Sequence, residues 1–210
     1  LLVAADNEFL GTSAGGASTG SRNVALGDYA APNLTTHDGG VFIGYYAGNH
    51  FTTKHSFYDS SGQIAIGFRA NGLWTQQEWD GYLADPVANP LPDIDGNGSP
   101  GITAPYTAIN NTFIGFQAGL RNYLGSDSVF VGYKAGMSNT RGQDNTFIGQ
   151  ESGRDNTLGT DNTFVGEDSG RSNTIGNDNT AIGSRALFVN QLGRFNTAVG
   201  SDAGQEMGRN

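Results

Sequence analysis

The sequence predicts an all-β fold, a parallel β-solenoid of about ten 17-residue coils with two strands each, and three observations carry that prediction. Gly115, Gly132, Gly149, Gly166, Gly183 and Gly200 recur every 17 residues, and each closes an apolar tripeptide. Glycine supplies 33 of the 210 residues, more than twice the usual share of about 7%. The segments between glycines are too short for helices and are rich in β-branched, aromatic, Asn and Asp residues, the pattern of short strands joined by tight turns. Stacked in parallel at about 4.8 Å, each coil satisfies the backbone of its neighbours, so the fold grows as a rod.

Around the six glycines the chain reads Asn111-Thr-Phe-Ile-Gly115, Ser128-Val-Phe-Val-Gly132, Asn145-Thr-Phe-Ile-Gly149, Asn162-Thr-Phe-Val-Gly166, Asn179-Thr-Ala-Ile-Gly183 and Asn196-Thr-Ala-Val-Gly200. The same phrase ends earlier at Gly11, Gly27, Gly44 and Gly67. The step from Gly44 to Gly67 exceeds one repeat by 6 residues and the step from Gly67 to Gly115 by 31, so two insertions interrupt the array. This divides the chain into N-terminal coils (1–72, with the short insertion near 49–61), an inserted loop or subdomain (73–109) and regular C-terminal coils (110–210). A second glycine four residues on, as at Gly153, and a third ten residues on, as at Gly159, split each unit into two halves, each read as a strand and a turn.

Side-chain direction is read from tolerance to size. The residue before the reference glycine is always aliphatic, from Leu10 to Val199, and is predicted to point inward. Period two then turns the residue two places earlier inward too, including Thr146, Thr163, Thr180 and Thr197. The position between swings from Phe to Ala, a volume change a narrow interior would not absorb, so it is predicted to face out. Phe113, Phe130, Phe147 and Phe164 then form an apolar ridge and the predicted oligomer interface, unless the insertion covers it with Trp74, Trp79 and Tyr82.

Composition excludes several partners. With 11 basic against 20 acidic side chains the formal charge is −9, and no basic stripe is present to track a nucleic-acid backbone. No apolar run approaches the roughly 20 residues of a membrane-spanning helix. The absence of cysteine removes disulfides, thiolate catalysis and thiolate zinc sites. The opening Leu1-Leu2-Val3-Ala4-Ala5 is too short for a signal peptide and fits the residues just downstream of a processing site.

The repeated Asn-Thr-Ala-Ile-Gly phrase with a following Ala-Gly resembles the YadA-like head repeats of trimeric autotransporter adhesins, a left-handed parallel β-roll. The Asn-Thr-Phe-Ile-Gly arrays are also similar to repeats of tail-fibre-like bacterial and phage proteins. The likeness covers about 9–44, 63–71 and 109–204. It implies left-handed coils, three-fold assembly and a place at the cell surface. The unit here is longer than the family's usual one of about 14 residues, and Phe often stands where that family has Ala.

Each chemical candidate has a competing structural reading. Gly11-Thr12-Ser13-Ala14-Gly15 spells a nucleophile elbow, but on the repeat's own glycines and without a strand-turn-helix setting. Asp168-Ser169-Gly170 resembles a serine-protease phrase, yet Glu151-Ser152-Gly153 repeats it one coil earlier. His37, His50 and His55 lie outside the regular array as loop histidines or metal and acid-base candidates.

The strongest local signal is Asp93-Ile94-Asp95-Gly96-Asn97-Gly98-Ser99, whose alternating oxygen side chains at Asp93, Asp95, Asn97 and Ser99, with Gly98 between, match the first half of a calcium loop. Ala104 stands where the bidentate carboxylate belongs, so Asp85 or Glu78 would supply it, or the segment is an Asx turn. The row Asp127, Asp144, Asp161 and Asp178 is read as turn-capping residues rather than a cation ladder. The row Asn111, Asn145, Asn162, Asn179 and Asn196 is read as a side-chain amide ladder.

The reading is therefore an extracellular or cell-surface structural and adhesive fibre segment, with no catalytic residues and with calcium as the candidate cofactor. It would self-associate into a homo-oligomer, trimer or filament, and present a surface to a matrix or carbohydrate ligand. Two alternatives come from other classes: an ice-binding β-solenoid using the Thr row, against which the inward assignment counts, and a β-helical carbohydrate-active enzyme, which should cluster carboxylates with basic partners. A shell or sheath protein is the remaining reading.

Overall fold

The computed structural model describes residues 6–16, 18, 20–32, 34, 38–48, 62–71, 109–122 and 124–207. These form one ten-stranded parallel sheet whose strands lie in chain order: β1 (Glu8–Leu10), β2 (Val24–Leu26), β3 (Val41–Ile43), β4 (Ile64–Ile66), β5 (Thr112–Ile114), β6 (Val129–Val131), β7 (Thr146–Ile148), β8 (Thr163–Val165), β9 (Thr180–Ile182) and β10 (Thr197–Val199). The protein is the parallel β-solenoid that the repeat predicts. Register is unbroken, so Phe147 sits beside Phe164 and Ala181 beside Ala198. Across the long insertion β4 pairs directly with β5, Ala65 against Phe113, so the insertion adds no strand between them.

Each coil contributes one strand rather than the two expected. The other half turns through left-handed residues such as Glu151 and Asp161, and no strand forms there among the described residues. Hydrogen bonding nevertheless continues round the turns: Asp155 N–H donates to the Arg171 carbonyl at 2.9 Å and Thr157 N–H to that of Thr174 at 2.9 Å. The short turn side achieves parallel inter-coil bonding without strand geometry.

The predicted side-chain directions are reversed. Phe42, Phe113, Phe130, Phe147 and Phe164 are fully buried, and the aliphatic residues flanking them face outward, with Ile148 40% exposed and Ile182 42%. A three-residue strand presents its centre to one side and its two ends to the other, and here the centre faces in. In the Ala65 and Ala181 coils the interior absorbs the Phe-to-Ala swing because a second position compensates, which it does not do for Ala25, followed by Ala31, or for Ala198, followed by Gly204. Six residues after each buried Phe of β3 and β5–β8 stands glycine, from Gly48 to Gly170. Opposite Ala25, Ala65 and Ala181 stand Ala31, Asn71 and Leu187, all buried.

The result is a narrow core one large side chain wide. The rings of Phe113, Phe130, Phe147 and Phe164 stack with centroids 4.9, 4.8 and 5.1 Å apart. Each buried ring contributes about 1.5–3 kcal/mol of transfer free energy. Close coil spacing also restricts the reference glycine. A β-carbon on Gly149, at φ 133°, would lie 2.4 Å from the Gly166 carbonyl oxygen.

Two amide ladders line the interior. In the expected one, the Asn162 and Asn179 backbone N–H groups donate to the Oδ1 atoms of Asn145 and Asn162, both at 3.0 Å. The Asn162 side chain also donates to the Gly176 carbonyl at 2.8 Å. A second ladder runs up the turn side, where Nδ2 of Asn139, Asn156 and Asn173 donates to Oδ1 of Asn122, Asn139 and Asn156 at 2.6, 2.8 and 2.7 Å. Up to Asn156 each amide oxygen of the turn-side ladder accepts from the next coil. The ladder ends at Asn173, whose buried Oδ1, like that of Asn190 one coil on, has no partner among the described residues. The paired amides tie each coil to the register of its neighbour.

Candidate functional site

Chemistry available to a partner lies on the outward columns. The strand face carries two of them: the position opening each strand, Val24, Val41, Ile64, Thr112, Val129, Thr146, Thr163, Thr180 and Thr197 after Glu8, and the position closing it, from Leu10 to Val199. From β2 to β10 neither column contains a charged residue. Because the strands are in register the two columns run unbroken along the sheet, and the surface changes character along it. It is mostly aliphatic through β6 and becomes a Thr column beside Ile and Val from β7 onward.

Beside the aliphatic half runs an aromatic column that the glycine period does not by itself single out. It occupies the position after the reference glycine: Tyr45, Phe68, Phe116 and Tyr133. The rings stack on one another, with centroids 5.6, 5.2 and 5.3 Å apart, and stay 47%, 43%, 40% and 44% exposed. Tyr29 and Tyr46 extend it with their own stacked pair at 4.9 Å, and the Lys134 ammonium caps the far end, 5.0 Å over the Tyr133 ring. The signal is legible in the sequence as an aromatic residue following four glycines in turn.

Beyond Tyr133 the same corner becomes ionic. Arg154 bonds Glu151 at 2.9 Å and Asp155 at 2.8 Å, and Arg171 reaches back one coil to Glu151 at 3.0 Å. Burial pushes the Asp168 carboxyl above its ordinary value, against the pull of Arg171 at 3.5 Å. The Arg171 contact with Glu151 joins consecutive coils.

The predicted oligomer interface requires correction. Phe113, Phe130, Phe147 and Phe164 are buried inside a single chain and present no ridge to a second copy. The proposed calcium ligands Asp93, Asp95, Asn97 and Ser99 lie outside the described residues, as do His37, His50, His55, Trp74, Trp79 and Tyr82. Ser169 and Ser152 are buried, and their hydroxyls donate to the carbonyls of Ala181 and Phe164 at 2.9 and 3.0 Å, a structural role. Ser13 sits exposed on the turn following β1. Asp127, Asp144, Asp161 and Asp178 are exposed at φ 55–58°, the left-handed region that Asp tolerates better than most residues. Among the described residues no group of three acidic or His side chains converges as a metal site.

Comparison of the chain with protein-family models, curated proteins and solved structures finds no match.

Proposed function

We propose that this β-solenoid is a structural and adhesive segment of an extracellular fibre, self-associating side by side through its aromatic corner and the aliphatic half of its strand face. The observation that carries the reading is the exposed column Tyr45, Phe68, Phe116 and Tyr133, lying beside Ile43, Ile66, Ile114 and Val131. Together they make a continuous apolar surface larger than the scattered exposed residues normal for a monomer. Because the rings spend their faces on each other, they offer edges and methyl groups, which suit packing against another protein surface better than stacking under a sugar. The location outside the cell and a three-fold assembly rest on the likeness of the repeats to adhesin heads. Sedimentation tests the reading: mass should rise with concentration in the parent and fall to the single chain in Phe68→Ser/Phe116→Ser. A parent that stays monomeric throughout defeats it.

Calcium belongs to the same reading as a stabiliser of the inserted loop, bound by Asp93, Asp95, Asn97 and Ser99. Equal titration heats from the parent and Asp95→Ala would remove it.

A further inference from the structure

We propose that the Thr half of the strand face, on β7 to β10, binds ice. The chain carries two kinds of Thr column, and their hydroxyls are used differently. Thr140, Thr157 and Thr174, on the turn side, donate Oγ1 to the carbonyls of Thr157, Thr174 and Gln191 at 2.9, 3.0 and 3.0 Å. Those hydroxyls are spent holding coils together. Thr146, Thr163, Thr180 and Thr197 open four consecutive strands on the outward face, and their hydroxyls make no hydrogen bond among the described residues. They point to solvent as an evenly spaced row.

Spacing and chemistry together suggest the ligand. In-register pairing sets neighbouring Thr residues about 4.8 Å apart across the strands. The closing column of Ile148, Val165, Ile182 and Val199 runs parallel to it, about 6.6 Å along each strand. This rectangular mesh of hydroxyls and methyls has the scale on which water oxygens repeat in the surface planes of ice. The methyl groups order the adjoining water and the hydroxyls anchor it, and the rigid sheet fixes the pattern beforehand. On the mesh itself a charged ligand finds no counter-charge, since neither column from β7 to β10 contains an ionisable side chain, and the adjoining Arg154 and Arg171 are paired with Glu151, Asp155 and Asp168. A second protein copy fits poorly as well. Four strands offer on the order of 200 Å², against the roughly 800 Å² per partner of a stable interface. An extended, periodic, uncharged solid suits the mesh.

Ice binding at this face is independent of self-association, whose surface is the aromatic corner and the aliphatic strands up to β6. It is tested on the full chain by thermal hysteresis and by partitioning into a slowly growing ice hemisphere. The parent should show hysteresis that rises with concentration and should be enriched in the ice. Thr163→Tyr/Thr180→Tyr should lose at least ten-fold in both measurements with unchanged circular dichroism, whereas Leu158→Tyr, the same side chain added to the turn side, should match the parent. Absence of hysteresis and of enrichment in the parent overturns the proposal, whatever the variants do. So does full activity in a folded double-Tyr variant. A drop in sedimentation mass confined to that variant would assign the Thr face to a second copy and also overturns it.

Discussion

Phe147 and Gly153 face each other across the interior of one coil, and a β-carbon built on Gly153 would lie 2.6 Å from the Phe147 ring. Where the strand supplies Ala181 instead, the turn supplies Leu187 at the matching position, with φ 50° against 56° for Gly153. The coil therefore takes its large side chain from either side but not from both. Phe147→Ala alone should cost about 3–5 kcal/mol as a cavity, and Gly153→Leu alone should be at least as damaging through overlap with the ring. The double variant, which copies the Ala181 and Leu187 coil, should recover about 1–2 kcal/mol relative to the sum of the singles. Urea denaturation of the four proteins measures the coupling; strict additivity would show that the two positions do not share one volume.

That compensation explains what the sequence alone does and does not disclose. The 17-residue period sets the strand positions, the register and the coil stack, because each strand repeats its neighbour's hydrogen bonds. Inside and outside come out inverted when size variation at the Phe113-to-Ala198 position is taken alone, without the residue six places later. Gly119, Gly136, Gly153 and Gly170 pair with Phe, whereas Asn71 and Leu187 pair with Ala65 and Ala181, and that covariation is present in the sequence, although Ala25 with Ala31 and Ala198 with Gly204 do not share it. The inversion also hides the face proposed to bind ice, since it assigns Thr163 and Ile148 to the core. The Asn162 ladder is legible because a buried amide repeated at coil spacing has its next copy as its natural partner.

Asn162 accepts the backbone N–H of Asn179 and donates to Gly176 from a buried position. Asn162→Ala leaves both of those backbone groups without their partner, each costing about 1–3 kcal/mol. Asn162→Asp keeps the acceptor but loses the donor and buries a charge, so it should fare no better at neutral pH. Thr163→Ala, next in sequence but outward, should stay within about 1 kcal/mol of the parent. Melting temperatures rank the three variants; a Thr163→Ala loss equal to that of Asn162→Ala would mean the ladder contributes nothing specific.

Asp168 gives a pH dependence of definite sign. Burial raises its folded-state value above the ordinary 3.8, with Arg171 opposing, so the folded chain holds this proton more tightly than the unfolded one. Stability from the group is complete below 3.8 and is lost as pH rises through the raised folded-state value. Relative to Asp168→Asn, the parent should therefore gain melting temperature on acidification across that window. A gap moving the other way would show that the ion pair with Arg171 outweighs desolvation.

The direct pairing of Ala65 with Phe113 makes the long insertion dispensable for the stack. Asn71 N–H already donates to the Ala118 carbonyl at 2.9 Å, a bond of the same kind as that from Gly153 to Ser169 in an uninterrupted coil, also 2.9 Å. On the entry side, Asp127 N–H donates to the Ile109 carbonyl at 3.0 Å. Removing 31 residues from between Asn71 and Ile109 would restore the regular spacing from Gly67 to Gly115 without breaking any of these bonds. Shortening a loop several-fold changes its closure entropy by only about 1–2 kcal/mol, in favour of the folded chain. The shortened protein should keep the parent's circular dichroism spectrum and melt no lower than the parent. A collapse of the spectrum would show that the insertion packs on the coils and completes them.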